Sequence, residues 1–495
     1  MARSSQRSPA TSAPSPGLPY KWVAFSVTSV GVLMSAIDST VVVLGLPVMV
    51  KDLHASLVSM IWVIMGYTLV STACLLVLGR IADMIGRVRM YNLGFIVFTV
   101  ASLLCGLTHT GGQLIAARLL QGLGSAMLMV NSMAIITEAF PSRERGMALG
   151  LNSVIWNAGS ILGPLVGGVL LSAFTWRSLF YVNVPIGIVG TIMAYVRLRE
   201  LSARPARQSF DFFGASLFTA SLTAILLVFT EGLSLGFTSP LILGLLAFGV
   251  VGIVVFYRWE HRAVAPVLNF GLFANRLYGL AVSASSVQAL GMFSINFLMA
   301  YFLEAVKGQP PLTTAFLMLP APLISSIVGP LSGRWSDRIG PRLPATVGAM
   351  IQAAAVLWLA FLRTGSPIWV VVVPLAIMGF GGGLFWPPNT SAAMGAAPVD
   401  QLGVASATLT TARNVGFLMS YALSIAVAAE SLPPSVMNAL FLNTSLTLGG
   451  KDMAAFTTGM DHAFFLSCIF AALAAVISSV RPVRRGHLVA QAGTD

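Results

Sequence analysis

Charge is what this chain has little of. Asp, Glu, Lys and Arg make up 9% of its 495 residues, against roughly 25% in a soluble globular protein. With 56% hydrophobic residues, the composition excludes water as the main solvent. Cysteine is also scarce: Cys74, Cys105 and Cys468 are the three present. Each falls inside an apolar run, too far from the others for a local metal motif, and each reads as a small packing residue. The five histidines are scattered near loops and ends. No nucleophile–base pair and no metal-ligand spacing emerges, so an enzyme is not expected. A net charge of +12 and a pI near 10.2 raise the question of nucleic acid. The basic residues sit in short clusters between apolar runs, a positive-inside pattern, so no nucleic-acid partner is expected.

What the chain does have is long apolar runs. A helical span needs about 20 such residues, and fourteen stretches qualify: 22–46, 57–79, 89–108, 113–137, 146–171, 178–197, 211–231, 239–258, 278–304, 313–333, 343–362, 367–388, 401–429 and 462–481. Backbone groups find no partners in lipid, so spans are helices or closed barrels. Runs this long exclude barrel strands. The expected fold is an all-α membrane protein with 14 transmembrane helices. The first run, after Lys21, is too long for a signal peptide, holds Asp38 and lacks a cleavage site. It reads as a retained span behind a disordered cytoplasmic tail, 1–20. Five of the Lys and Arg residues fall in outer segments under this scheme: Lys51, Arg177, Lys307, Arg363 and Lys451. Arg118 and Arg413 lie within spans, and the remainder are inner. That bias puts both termini in the cytoplasm.

One charged stretch repeats. Gly79–Met90, GRIADMIGRVRM, returns as Gly333–Arg342, GRWSDRIGPR. Gly79, Arg80, Asp83 and Gly86 match Gly333, Arg334, Asp337 and Gly340. The copies are eight spans apart, whereas two six-helix halves alone would separate them by six. Two extra helices in the middle of the chain account for the difference. The expected organisation is an N-terminal six-helix bundle at 21–200, a linker with two additional transmembrane helices at 201–262, and a C-terminal six-helix bundle at 263–482. A cytoplasmic tail follows at 483–495. The repeated stretch reads as a cytoplasmic loop and conformational latch. Gly79 and Gly86 allow a tight connection, Asp83 caps the following span, and Arg87 with its neighbours faces anionic groups. Pro341 replaces Arg87 in the second copy, which weakens that latch.

Polar residues inside spans mark the chemistry. Asp38 in SAIDSTVVVLGLP costs about 2.5–3.5 kcal/mol at mid-span and is expected to face the bundle interior. It is the candidate proton carrier, and the alternative is a structural acid that never titrates. Arg118 is its expected counter-charge, on a face with Gln121, Gly122, Ser125, Met129 and Ser132. In span five, Gly159, Gly163 and Gly167 share a face, with Gly168 beside them. Such residues admit a close helix neighbour, and Pro164 favours a bend. GFGGGLFWPP at 379–388 superficially resembles a phosphate cradle, but lacks the following Lys-Ser or Lys-Thr. The substrate cavity is expected to draw on Gln121, Met129, Trp156, Asn157, Phe293, Asn296, Phe297, Tyr301, Glu304, Trp386, Asn389 and Arg413. For Arg413, cavity lining and structural pairing stand level.

These residues resemble the major facilitator superfamily, in its fourteen-span drug:proton antiporter branch. The marks are IDSTVVVLGLP, GRIADMIGR, RLLQGLGSA, GPLVGG and WRSLFYVNVPIG at 176–187. The resemblance implies two bundles around a central cavity, and export coupled to proton entry. It links Asp38 and Arg118 to proton coupling, and Gly163, Pro164, Gly167 and Gly168 to antiport. Acids are few in the C-terminal spans, which weakens a dicationic substrate. The expected protein is a proton-coupled antiporter exporting hydrophobic small molecules by alternating access, working as a monomer in the cell membrane. It needs no cofactor beyond the proton gradient. The alternatives are an exporter of one self-made antibiotic or metabolite, and a proton-coupled importer.

Overall fold

The computed structural model describes residues 19–54, 57–201, 210–263, 266–429 and 450–482. Residues 1–18 of the expected N-terminal tail, the expected C-terminal tail 483–495, the start of the expected linker at 202–209, and 430–449 lie outside them. The first bundle comprises α1 (Tyr20–Asp52), α2 (Leu57–Ala73), α3 (Leu75–Ile85), α4 (Arg87–Leu107), α5 (Gly111–Ala139), α6 (Arg145–Ala173), α7 (Ser178–Tyr181) and α8 (Asn183–Arg197). The middle pair is α9 (Phe212–Leu235) and α10 (Pro240–Glu260). The second bundle comprises α11 (Gly271–Ala274), α12 (Arg276–Tyr301), α13 (Pro311–Met318), α14 (Pro320–Ile339), α15 (Arg342–Leu359), α16 (Trp369–Ala396), α17 (Leu402–Ala429) and α18 (Gly450–Ser479). No strand occurs among the described residues.

Local signals set many of the ends. Thr110, Asp211, Ser239 and Asn275 accept first-turn amides of α5, α9, α10 and α12, as N-caps do. Gly86 and Gly340 stop α3 and α14 at positive φ, 111° and 90°, a conformation that favours glycine. Leucine, valine and phenylalanine face outward along α4, α8, α10 and α14. In water that surface would be an error; in lipid it is the solvated face.

Eleven described helices are long and apolar enough to cross a membrane, or twelve with α2 and α3 counted as one span bent by 48°. The chain is a multi-pass membrane protein. The expected count of fourteen exceeds this number. Among the described residues α9 contributes the shorter apolar helix Phe212–Val228, and α17 runs into residues whose side chains lie outside the described set. Some expectations change. The repeated charged stretch is helix rather than loop: α3 runs to Ile85 and α14 to Ile339, with only Gly86 and the Gly340–Pro341 pair between helices. The last helix begins at Gly450, well before the expected 462. Span ten is divided before Pro320, and α12 runs into a π-helical turn, Phe302–Val306.

Within the first bundle α1 packs on α6 and α5 on α4; within the second α12 packs on α17 and α16 on α14 and α15. The bundles meet where α6 lies along α14 and α3 along α17. The middle pair rests on that seam through α9, against α2 and α17.

At the end remote from the charged repeats, a clamp ties the first bundle together. The Trp176 indole and the Arg177 guanidinium both donate to Asp52 Oδ2, at 2.7 and 2.9 Å. Arg177 also reaches the Thr108 carbonyl at 3.1 Å. These two donors hold the Asp52 carboxyl below the usual aspartate value of 3.8. A depressed folded-state pKa stabilises above the unfolded value, and the contribution is lost as pH falls through the folded one. Acidification below about pH 4 is therefore expected to release the clamp. A shift in tryptophan emission, absent in Asp52→Asn, would report it; equal emission changes in both proteins would dismiss it.

Candidate functional site

Two polar assemblies stand out, one inside the first bundle and one at the seam. In the first, Asp38 of α1 and Arg118 of α5 form an ion pair with Nη1–Oδ2 at 2.7 Å. Their exposures are 0% and 1%, so the pair is sealed in this conformation. Gln121 donates to Asp38 Oδ1 at 2.8 Å and accepts from Arg118 at 2.6 Å. Asn183 of α8 donates to the same Oδ1 at 2.9 Å. Ser102 is 2.8 Å from the Gln121 amide, and Arg118 Nε reaches the Val63 carbonyl at 3.0 Å. The Tyr67 ring lies 4.2 Å from the guanidinium carbon, a cation–π stack. Removing either charge would leave the other buried and uncompensated, which costs far more than the pair itself contributes. With no exposed surface on Asp38 in this conformation, exchange with water requires this network to open.

The expected meeting of Asp38 and Arg118 is therefore observed. Gln121 belongs to this network, which corrects its assignment to the substrate cavity. Asn183 and Ser102 are further members. Asn183 sits within WRSLFYVNVPIG, and a lone amide in an apolar stretch was the signal for it. In the second bundle Gln288 of α12 donates to Gln352 of α15 at 2.6 Å, both buried.

The second assembly is at the seam. Asp83 Oδ1 and Oδ2 accept the Gly403 and Val404 amides of α17, each at 2.9 Å. Asp337 Oδ1 and Oδ2 accept the Gly146 and Met147 amides of α6, at 2.8 and 3.0 Å. Each carboxylate thus caps the positive end of a helix in the opposite bundle. This corrects the expectation that Asp83 caps the next span. Glu200 does that, accepting the Val88 amide at 3.0 Å, and burial pushes its carboxyl above the usual glutamate range. One turn before each aspartate, a glycine lies backbone to backbone against the same target. A Cβ on Gly79 would meet Gly403 O at 2.5 Å, and one on Gly333 would overlap Gly146 O. Gly79 therefore permits helix contact rather than a tight loop. Gly86 and Gly340 make the turns.

Arg87 strengthens the first copy. It is buried and pairs with Asp83 at 2.9 Å and with Glu138 at 2.8 Å, and it also donates to the Val399 carbonyl. Its role is internal, not toward anionic groups outside. Pro341 cannot supply these bonds in the second copy. Arg334 is exposed and Arg80 half-buried.

On α6, Gly159, Gly163 and Gly167 are buried. A Cβ on Gly159 would meet Ala36, and one on Gly163 would overlap Thr40, both on α1. Gly168 does not share this contact: it is exposed, with nothing within 4 Å of an added Cβ. Pro164 is exposed and lies inside a continuous α6.

The expected cavity set divides. Asn157 of α6 bridges to Ser326 of α14 at 3.2 Å, and Trp386 meets Phe417 of α17 at 6.2 Å. Met129, Trp156 and Arg413 are half-buried. Asn389 is instead buried in the second bundle, donating to the Ala281 carbonyl at 3.1 Å and accepting from Arg481. It leaves the set, and Asn296 is exposed. The side chains of Phe293, Phe297, Tyr301 and Glu304 lie outside the described residues. Among those described, no group of three or more His, Cys, Asp or Glu could hold a metal ion.

Residues 28–421 match the family profile described as Major Facilitator Superfamily. The chain belongs to that superfamily. This transporter is 30% identical over 416 residues to the riboflavin transporter RibZ of Clostridioides difficile, covering 83% of this chain and 89% of RibZ. It is 32% identical over 406 residues to the multidrug resistance protein Stp of Mycobacterium tuberculosis, covering 82% and 75%. In fold it is similar to the proton:xylose symporter XylE, with a TM-score of 0.62 at 14% identity, covering 92% of this transporter and 94% of XylE. Members of the superfamily are generally not enzymes, which agrees with the lack of a catalytic constellation in the sequence.

Proposed function

We propose that this transporter exports hydrophobic small molecules in exchange for protons, by alternating access across the cell membrane. On this reading it belongs to the fourteen-span drug:proton branch, with α9 and α17 completing the count, and works as a monomer with both termini cytoplasmic. The observation that carries the reading is the buried Asp38–Arg118 pair, a charge held in an apolar bundle where protonation would free its partner. The Asp83 and Asp337 caps act as the latch that closes the cytoplasmic side. The glycine face of α6 lets that helix move against α1. Resemblance to a multidrug resistance protein supports the direction and the class of substrate.

The energetics suffice. A driving force of roughly 150 mV supplies about 3.4 kcal/mol per proton at about 2.3 kcal/mol per 100 mV. That sustains a gradient of about 300-fold. One titrating carboxylate allows one-for-one exchange, with no cofactor.

A second reading is a proton-coupled importer of a small solute; the riboflavin transporter shows that relatives of this size carry a specific metabolite. A single-substrate exporter of a self-made antibiotic is a narrower form of the first. Liposomes holding purified protein, with an imposed pH gradient and fluorescein and rhodamine 6G as alternative probes, separate these readings. Gradient-driven movement of dye against its own gradient, opposite to the proton, is expected. Movement with the proton would replace export by import, and flux indifferent to pH would end the proton-coupled reading.

A further inference from the structure

Arg413 is a half-buried cation that the network around Asp38 and the seam caps leave unused. Its place on α17 follows from its neighbours. Ser406, two turns earlier on the same helix face, bonds the Val130 carbonyl of α5 at 2.9 Å. Phe417, one turn later, meets Trp386 of α16. Arg413 therefore projects between the bundles, toward α5 and α16. It is half-buried, and its Nε is buried with no hydrogen-bond partner among the described residues. No described carboxylate pairs with it. Thr410, one turn earlier, is 1% exposed with its hydroxyl also unpartnered.

The described acids on the surrounding helices are already taken. Asp38 holds Arg118, Glu138 holds Arg87, and Asp83 and Asp337 hold helix starts. Among the described residues, the space between the bundles thus carries a positive group without a negative one. Desolvating an unpaired guanidinium is costly, and a site that bears this cost selects molecules that offset it. A cationic drug would meet repulsion there. A carboxylate, enolate or phenolate would gain a charge-assisted hydrogen bond.

We propose that the molecules this transporter carries bear an anionic oxygen group, received by Arg413 with Thr410. This rests on the reading of the space between the bundles as the substrate site, and it names the substrate class.

Fluorescein and rhodamine 6G share a xanthene core and differ in charge. Their binding to the purified full chain in detergent, followed by fluorescence polarisation, needs no pH gradient. Fluorescein is expected to bind at least about tenfold more tightly than rhodamine 6G. Arg413→Gln is expected to remove that advantage, Arg413→Lys to keep most of it, and Thr410→Ala to weaken fluorescein binding a few-fold. Size-exclusion profiles identify misfolded variants, and the wild-type dye comparison stands without any variant. Equal or tighter binding of rhodamine 6G, no binding of fluorescein, or a folded Arg413→Gln that binds fluorescein unchanged would each overturn the proposal. The two readings fail separately. Arg413-dependent fluorescein binding without gradient-driven flux retains this inference and removes antiport. Gradient-driven export of rhodamine 6G, unaltered in Arg413→Gln, does the reverse.

Discussion

Asp38→Asn and Arg118→Gln, made separately, are each expected to lower stability by about 3–5 kcal/mol, because each leaves one buried charge uncompensated. The double variant is expected to recover most of that loss. Asparagine and glutamine can still hydrogen-bond to Gln121, Asn183 and the Val63 carbonyl, which now hold the pair. Transport should behave differently: gradient-driven flux is expected to vanish in all three proteins. Thermal unfolding in detergent and flux in liposomes give the two readouts. The double variant is decisive, since it separates packing from titration. A stable, neutral double variant that still couples flux to the proton gradient would leave Asp38 as architecture alone. The sealed position of the pair makes this comparison necessary, because a satisfied ion pair also suits a purely structural role.

The second large effect is expected at the seam. Asp83→Asn with Asp337→Asn removes two charge–dipole caps, each worth about 1–2 kcal/mol in a partly buried setting. The closed arrangement would lose about 30- to 700-fold in population. Gly333→Val acts by shape rather than charge: its side chain cannot fit against the Gly146 carbonyl, so α6 and α14 must separate there. Spin labels on the ends of α3 and α17, and of α14 and α6, would report the separation as longer, broader distances. Turnover should fall with it while the buried Asp38 pair stays intact. Unchanged distances in Gly333→Val would deny that this contact sets the closed state.

Much of this was legible in the sequence. Eleven or twelve of the spans followed from apolar length, and the contact of Asp38 with Arg118 followed from the cost of charge in lipid. The repeat at Gly79 and Gly333 pointed to two related halves. What the sequence concealed was the partners. Gly403 and Gly146 are ordinary glycines near helix starts, and nothing local says that an aspartate from the other bundle will reach them. Asp83 had a plausible cap four residues away at α4, but the helix carries it across the seam, and Glu200 fills the vacancy from more than a hundred residues later. Asn389 looked like a cavity residue because it is polar and mid-helix; its actual partners, the Ala281 carbonyl and Arg481, are contacts that no periodicity reveals. The helical character of Gly79–Ile85 was hidden for a different reason. Charged residues read as loop, although a helix can continue past the apolar core of a membrane.

The lone carboxylate of the buried Asp38–Arg118 pair has an electrical consequence. A cycle that loads only Asp38 admits a single hydrogen ion. If the cargo leaves as a monoanion, two elementary charges shift inward per turnover, and voltage alone contributes about 4.6 kcal/mol at 100 mV. A neutral cargo would shift one, and a monocation none. Current recorded per molecule moved would therefore reveal the valence of the cargo before its identity is known.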